Sequence, residues 1–138
     1  MPNLILVSKS PRRRQILKDH GYKFTSCSVS TSEYFNENLS LNNALKEISR
    51  SKVQAFLNNN HLIELDHKII IGCDTLVCLK DQVLGKPKDK KQAKQYLSLM
   101  SGKSHEVKTA ISILDFSDKT WIEHVESSLV QMLSLIHI

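Results

Sequence analysis

Short apolar runs alternate along the chain with longer stretches of helical spacing. Leu4–Val7 is a continuous apolar run typical of a buried strand, and Ser10-Pro11 predicts a helix N-cap followed by proline at the first helical position. That helix is predicted to run to about His20, with Gly21 as its stop. Tyr22–Val29 is a second strand candidate. A strand, a tight turn and a helix are the expected start of an α/β unit.

The middle of the chain predicts a loop, a helix and a further buried strand. Ser30–Ser40 is polar and rich in turn-forming residues, which indicates a loop. Leu41–Leu57 has helical spacing. Its expected apolar stripe consists of Leu41, Ala44, Leu45, Ile48, Ala55 and Phe56. Lys68–Cys73 contains three consecutive isoleucines and predicts a strand buried on both faces, ending at Asp74-Thr75.

The last third predicts a hairpin, a helix and an antiparallel pair of strands. Leu76–Leu84 is interpreted as a small hairpin turning at Lys80-Asp81-Gln82, followed by a loop at Gly85–Lys88. Asp89, with Gln92 three residues later, forms a capping-box pattern at the start of a helix that ends at Ser101-Gly102. The apolar face of this helix is expected to bury Ala93, Tyr96, Leu97 and Met100.

The closing pair of strands is predicted at Val107–Leu114 and Trp121–Val130, around a turn at Phe116–Lys119. Together the elements predict an α/β fold. The length of 138 residues suits one globular domain, and 41% hydrophobic residues are enough for a core. We interpret the three cysteines, an odd number without a CxxC pair, as reduced and mostly buried thiols.

Composition excludes several classes of protein. No apolar run approaches the roughly 20 residues that a membrane-spanning helix needs. The apolar start lacks the basic region of a signal peptide, so we expect a cytoplasmic protein without a membrane partner. The net charge of +5 favours an anionic partner. It is concentrated in two segments: residues 1–18 carry five cations and no acid, and residues 80–108 carry eight lysines and three acids.

The segment from Ser8 to Arg14 is the strongest local signal of chemistry. A helix N-terminus carries a partial positive charge, so Arg12, Arg13 and Arg14 in the first turn work against local helix stability. A bound polyphosphate would relieve that conflict through arginine contacts, free N–H groups and the hydroxyls of Ser8 and Ser10. The alternative is an exposed basic turn with solvated side chains.

Asp74, Lys52 and Glu33 each have a functional and a structural interpretation. Asp74 follows a buried strand, where it could ligate a metal, act as a general base, or simply cap a turn. Lys52 lies on the apolar stripe of its helix, so it either snorkels to the edge or points into a polar cavity. Glu33 is an acid in a polar loop and by itself indicates nothing.

Two further sites are weaker. Gly85–Lys88 lacks the P-loop pattern, although Lys86 could meet a phosphate as a point charge. His105 could be catalytic, but a structural role at the end of a strand or helix is the commoner case. The sequence contains no zinc-ligand cluster and no compelling order of serine, histidine and aspartate.

Six motifs in order give the chain a resemblance to the Maf nucleotide pyrophosphatases, whose larger superfamily includes the inosine-triphosphate pyrophosphatases. The motifs are S-x-S-P-R-R-R at residues 8–14, Glu33, Lys52, G-x-D-T at 72–75, G-K-P-K at 85–88 and S-G-x-x-H-x-V-x-T at 101–109. The resemblance implies a strongly twisted mixed sheet flanked by helices. It also implies hydrolysis of a nucleoside triphosphate to the monophosphate and pyrophosphate with a divalent cation, usually Mg²⁺.

The resemblance assigns roles by matching position. Asp74 is the proton acceptor that activates water, and Glu33 belongs with it to the acidic, metal-side set. Ser30-Thr31-Ser32-Glu33 departs from the usual Asp-x-Asp-Glu of that loop. The triphosphate is handled by Ser8, Ser10, Arg12, Arg13, Lys52 and Lys86. Arg12 and Thr75 fit the branch that acts on dTTP and UTP, whereas a sister branch acting on 7-methyl-GTP has Trp and Gln at those places.

The resemblance also sets an expected extent. Its members continue past residue 130 into a further helix, a Gly-rich segment and closing strands, so we expect one incomplete domain at 1–130 and a non-native tail at 131–138. Such a chain is expected to be weakly active and poorly stable. Besides dTTP and UTP, the alternative substrates are 7-methyl-GTP or other modified nucleotides. The alternatives to an active enzyme are an inactive fragment and a basic nucleic-acid-binding module, for which the chain has few stacking aromatic residues. A homodimer is a further expectation.

Overall fold

Six strands and three helices alternate along the described part of the chain, which in this computed structural model comprises residues 3–31, 35–59, 64–80 and 82–134. Their order is β1 (Leu4–Val7), α1 (Pro11–Asp19), β2 (Phe24–Cys27), α2 (Leu41–Asn59), β3 (Ile69–Leu79), β4 (Gln82–Leu84), α3 (Lys90–Met100), β5 (Ser104–Asp115) and β6 (Thr120–Gln131). Every element type predicted from the sequence is present, and the boundaries differ by a few residues.

The strands form one mixed sheet in the order β2-β1-β3-β5-β6, with β4 pairing β3. Strand β1 runs parallel to both β2 and β3, and β4 runs antiparallel to β3. A parallel pair needs a crossover connection, which α1 provides between β1 and β2 and α2 provides between β2 and β3. The predicted α/β class with a mixed sheet is therefore confirmed.

The junction between β1 and α1 follows the capping signals of the sequence. The Ser10 side chain accepts a hydrogen bond from the Arg13 N–H, and Pro11 occupies the first helical position. His20 is the C-cap, and the following Gly21 takes a φ of 80°, a left-handed conformation that glycine adopts without a Cβ penalty. The predicted start and end of α1 are confirmed.

The chain divides into two compact units. The first unit comprises residues 1–74 and 110–125, and the second comprises residues 75–109 and 126–138. Strands β3, β5 and β6 each contribute residues to both units.

Two apolar clusters are found among the described residues of the first unit. One consists of the buried side chains Ile5, Val7, Val53, Phe56, Ile70 and Leu114. The other consists of Leu6, Ile71 and Cys73. Because side chains alternate across a strand, β1 and β3 supply residues to both clusters and have buried runs on both faces. Helix α2 adds Ala44, Leu45 and Ile48 to the buried residues of this unit.

The second unit has a smaller buried set, namely Leu76, Cys78, Leu79, Leu84 and His105. Helix α3 belongs to this unit and has no buried residue. The expectation that α3 buries Ala93, Tyr96, Leu97 and Met100 is wrong: Leu97 is 46% exposed and the other three are only half-buried. A helical stripe specifies which face is apolar, but not whether another element covers that face.

The end of the central strand also differs from its prediction. Strand β3 does not stop at Asp74-Thr75 but continues to Leu79, and its last three residues pair with β4. Aspartate and threonine are common in turns, yet threonine also favours strands, and the pairing with β4 extends the ladder. The predicted hairpin is confirmed as the β3–β4 pair, while Asp81 in its turn lies outside the described residues.

Two smaller differences concern the helices. In α2 the buried face includes Ser49 and Val53, whereas Leu41 and Ala55 of the expected stripe are half-buried. In α3 the Asp89 side chain accepts from the Gln92 backbone N–H at 2.8 Å, but Gln92 Oε1 accepts from the Lys88 backbone N–H. The capping box is therefore shifted by one residue on its return side.

The predicted single domain at 1–130 and the non-native tail at 131–138 stay predictions. Strand β6 extends to Gln131, and residues 135–138 lie outside the described part. Within the described residues, we find no helix with both the length and the apolar character needed to cross a membrane.

Candidate active site

The turn after β1 brings Ser8 and Arg13 together. The Ser8 hydroxyl oxygen accepts hydrogen bonds from the Ser10 backbone N–H and from Arg13 Nη1, both at 3.1 Å. Arg13 Nη1 also lies 3.3 Å from the Cys73 carbonyl oxygen on β3, to which it donates. The guanidinium of Arg13 is thereby turned from the α1 N-terminus toward the central strand.

Lys52 reaches the same point of β3 from helix α2. Its Nζ donates to the Cys73 carbonyl oxygen at 3.0 Å and to Asp74 Oδ1 at 3.2 Å. The side chains of Lys52 and Asp74 are 14% and 17% exposed. Of the two interpretations of Lys52, the structure therefore supports a side chain that points into a polar site over one that snorkels to the helix edge.

The approach of α2 to β3 depends on Gly72. A Cβ at this position would lie 2.3 Å from the Ser49 carbonyl oxygen and 2.9 Å from a methyl group of Val53. Only glycine allows the helix backbone to lie this close to the strand. Because Lys52 lies between Ser49 and Val53 on α2, the close approach brings its ammonium group to Cys73 and Asp74.

The Cys73 carbonyl is the shared acceptor of both cations, while its thiol is buried. Burial raises the pKa of this thiol, and the nearby Arg13 and Lys52 oppose the shift in part. The thiol therefore stays protonated at neutral pH, and we assign it no nucleophilic role. The three cysteines are free, and Cys73 and Cys78 are buried, which confirms the interpretation as reduced and mostly buried thiols.

The remaining predicted site residues lie on several elements. Ser10 caps α1 and Arg12 is exposed on its first turn. Thr75 and Lys86 belong to the second unit: Thr75 Oγ1 lies 3.0 Å from Thr109 Oγ1, and Lys86 is exposed in the loop after β4. Glu33 lies outside the described residues. The structure therefore brings together Ser8, Arg13, Lys52 and Asp74.

His105 and the lysines of α3 have other environments. His105 is 8% exposed at the start of β5, and its Nδ1 has no hydrogen-bond partner in the described part of the chain. A surface groove of about 630 Å³ is lined by Lys91, Lys94, Gln95, Ser98, Leu99 and Lys103, all of the second unit. This groove contains none of the predicted site residues.

The described carboxylates fit a sparsely coordinated metal. No group of three or more His, Cys, Asp or Glu side chains within residues 3–31, 35–59, 64–80 and 82–134 could hold a metal ion. Magnesium, however, is commonly bound through one or two carboxylates together with substrate phosphates and several waters. Asp74 alone among the gathered residues offers such a ligand, and its carboxylate is of the kind that Mg²⁺ takes.

The sequence did not predict the Cys73 carbonyl as the shared hydrogen-bond acceptor of Arg13 and Lys52, because this acceptor is a backbone group and not a recognisable side chain. It also did not reveal a buried polar cluster formed by Ser49, Ser112 and Glu123 near Gly72. Ser49 follows Leu45 by four residues on the apolar stripe of α2, and a serine at such a position could have indicated a buried polar contact.

Two solved structures with this fold share little sequence with the chain. One is the nucleoside-triphosphatase, or dITP/XTP pyrophosphatase, of Mycobacterium abscessus, which superposes with a TM-score of 0.53 at 9% identity, covering 93% of this chain and 73% of that one. Protein VC0702 from Vibrio cholerae superposes with a TM-score of 0.51 at 9% identity, covering 96% of this chain and 65% of that one. At this level of identity the two superpositions show that the chain shares their fold.

The family is shown by sequence. The family model described as Maf-like protein matches residues 3–137, and the chain belongs to this family. It is 38% identical over 127 residues to a dTTP/UTP pyrophosphatase of Bdellovibrio bacteriovorus, covering 92% of this chain and 66% of the relative. A dTTP/UTP pyrophosphatase of Lachnoclostridium phytofermentans is 37% identical, covering 89% and 60%. The resemblance found in the sequence is confirmed.

The chain is shorter than these curated relatives. It spans 66%, 60% and 51% of the length of three of them, the third being a dTTP/UTP pyrophosphatase of Desulfitobacterium hafniense.

Proposed function

We propose that the chain forms part of an enzyme that hydrolyses dTTP and UTP to the monophosphate and pyrophosphate. The observation that carries the proposal is the convergence of Arg13 and Lys52 on the Cys73 carbonyl, with Lys52 also paired to Asp74. Phosphoryl transfer to water requires fixed positive charges that stabilise the phosphates and a group that positions or deprotonates the water. Two cations beside one carboxylate meet both requirements. The names of the curated relatives support the same substrates.

Asp74 is proposed as the general base. Its carboxylate accepts a proton from a water molecule while the water oxygen forms a bond to the α-phosphorus. The bond between the α-phosphorus and the bridging oxygen breaks, and the leaving pyrophosphate takes the electron pair. Lys52 holds one carboxylate oxygen in place, which leaves the second oxygen to accept the proton.

Lys52 and Arg13 are proposed to bind the triphosphate. The Lys52 ammonium group lies beside Cys73 and Asp74, and we propose that it donates to a phosphate oxygen when the substrate is bound. The planar guanidinium of Arg13 suits bidentate contact with a phosphate. Ser8, Ser10 and the N-terminus of α1 lie beside Arg13, and the absence of acids in the first turn of α1 favours an anion there.

A divalent cation, Mg²⁺ in our proposal, would be held by Asp74 together with phosphate oxygens, and by Glu33 as the resemblance implies. When bound, it would offset the negative charge of the phosphates. Lys86 is proposed as a further phosphate contact, and Arg12 and Thr75 as determinants of the pyrimidine base.

The proposal is tested by measuring pyrophosphate release from dTTP, UTP, dCTP, 7-methyl-GTP and ITP with Mg²⁺. We expect turnover of dTTP and UTP, and loss of at least about a hundredfold in Asp74→Asn because the base is removed. The matched control is Asp66→Asn, an exposed aspartate outside the site. Preferred hydrolysis of 7-methyl-GTP would replace the substrate assignment, and full activity of Asp74→Asn would refute the catalytic one.

Cytoplasmic location and a homodimer remain parts of the same proposal. Size-exclusion chromatography at several protein concentrations tests the dimer, and a constant monomeric mass would contradict it.

A further inference from the structure

A buried polar chain connects helix α2 to strands β5 and β6 within the first unit. Ser49 on α2 and Ser112 on β5 are fully buried, and their hydroxyl oxygens lie 2.6 Å apart. The Ser112 hydroxyl donates to Glu123 Oε2 at 3.0 Å, and Arg50 Nη2 donates to Glu123 Oε1 at 2.6 Å. The Arg50 guanidinium also lies over the Trp121 ring, 4.3 Å from its centroid.

The hydrogen bonds of this cluster given above involve none of the proposed substrate contacts, and the cluster occupies core space that apolar side chains could fill. Buried hydroxyls and a partly buried ion pair stabilise a fold only when every partner is in place. A small rotation or sliding of α2 would separate Ser49 from Ser112 and Arg50 from Glu123 at once. The cluster therefore favours one placement of α2 over its neighbours.

That placement sets the position of Lys52. The Ser49 carbonyl oxygen is the atom that packs against Gly72, and Lys52 follows Ser49 by three residues, about one helical turn. Gly72 precedes Cys73 and Asp74, the two residues that Lys52 Nζ contacts. One turn of α2, from Ser49 to Lys52, therefore connects the polar cluster to the Lys52 contacts, and this turn packs against Gly72 of β3.

We propose that Ser49, Arg50, Ser112 and Glu123 are positioning residues that hold α2 so that the Lys52 ammonium group meets Asp74. They act through Lys52 and not on the substrate. The inference rests on the proposed function for its catalytic consequence, whereas its geometric part concerns the ion pair alone.

The geometric part is tested without turnover, by the hydrogen exchange of the Lys52 ammonium protons in NMR spectra. An ammonium group held by two acceptors exchanges slowly. We expect a slow Lys52 signal in the parent protein, its loss in Glu123→Gln, and its retention in Glu47→Gln, the same change at an exposed carboxylate of α2. Thermal melts establish that each variant is folded, and Ser112→Ala replaces Glu123→Gln where that variant does not fold.

The catalytic part is tested by a double-mutant cycle. We expect Glu123→Gln to lower kcat for dTTP about ten- to a hundredfold with little change in KM, since misplacing a catalytic pair by 1 Å has effects of that size. In a Lys52→Met background the same substitution should lower kcat less than about twofold, because the group it positions is gone.

The two kinds of failure are distinguishable. An unchanged Lys52 signal in folded Glu123→Gln and Ser112→Ala, or equal kcat losses with and without Lys52, would overturn the inference. A parent protein that turns over none of the nucleotides, but whose Lys52 signal behaves as expected, would refute the proposed function and support the geometric part.

Discussion

The two basic segments of the chain carry equal net charge and use it differently. Residues 1–18 sum to +5, and residues 80–108, with eight lysines and three acids, also sum to +5. In the first segment, Arg13 donates to the Cys73 carbonyl group of β3, which also accepts from Lys52 of helix α2 outside both segments. In the second unit, Lys90, Lys91 and Lys94 are exposed on α3. Equal net charge therefore does not distinguish a segment with directed hydrogen bonds from one with solvated side chains.

The largest expected difference between the units concerns these cations. Lys52→Met should lower kcat for dTTP by about a hundredfold or more, since removal of one fixed donor to a developing charge has costs of that order. Lys91→Met, the same change in the second unit, should alter kcat by less than about twofold because its side chain is solvated. Steady-state kinetics of both variants checks this, and a comparable loss in Lys91→Met would break the comparison.

The next largest expected difference between the units is the loss of unfolding free energy when an apolar side chain is truncated. Ile70 is fully buried in the first unit, so Ile70→Ala should lower the free energy of unfolding by about 2–5 kcal/mol. Leu97 on α3 is 46% exposed, and Leu97→Ala should change it by about 0.5 kcal/mol or less. Urea titrations followed by circular dichroism measure both. Equal losses would mean that the apolar face of α3 is covered in solution.

The smallest expected effect is a pH dependence from Cys73. Burial raises the pKa of this thiol above its usual value, so the unfolded chain releases the proton at lower pH than the folded chain. The resulting stability is complete below the pKa of the unfolded thiol and is lost as the pH rises through the pKa of the folded one.

Cys73→Ala should therefore reduce the fall in the urea midpoint between pH 7.5 and 10. Part of this fall should remain, because burial also raises the pKa values of Cys27 and Cys78. An unchanged alkaline fall in Cys73→Ala would show that this thiol does not contribute.

The sequence predicted what local rules decide. Ser10-Pro11 and Gly21 marked the ends of α1 because capping and left-handed glycine are local requirements. Strand β3 was predicted too short, because Asp74-Thr75 is a turn pattern that the pairing with β4 overrides. The α3 face was predicted as buried because periodicity carries no information on its partner.

The site was predicted in part for the same reason. The arginine cluster that includes Arg13 indicated phosphate binding, and the family resemblance assigned roles to Lys52 and Asp74. The choice between two positions for the Lys52 side chain required the place of β3 beside α2. The cluster of Ser49, Ser112 and Glu123 joins residues 63 and 11 positions apart along the chain. Contacts of that kind depend on tertiary structure, and no local pattern encodes them.

The stacking of Arg50 on Trp121 gives the molecule a built-in optical reporter. Trp121 is the single tryptophan of the 138 residues, and it packs against the larger apolar cluster of the first unit. The fluorescence of Trp121 reports on the contact of α2 with β6, whereas far-ultraviolet circular dichroism averages over all helices and strands. A comparison of the two signals during unfolding will therefore show whether the unit that holds Asp74 melts with the remainder of the chain or separately from it.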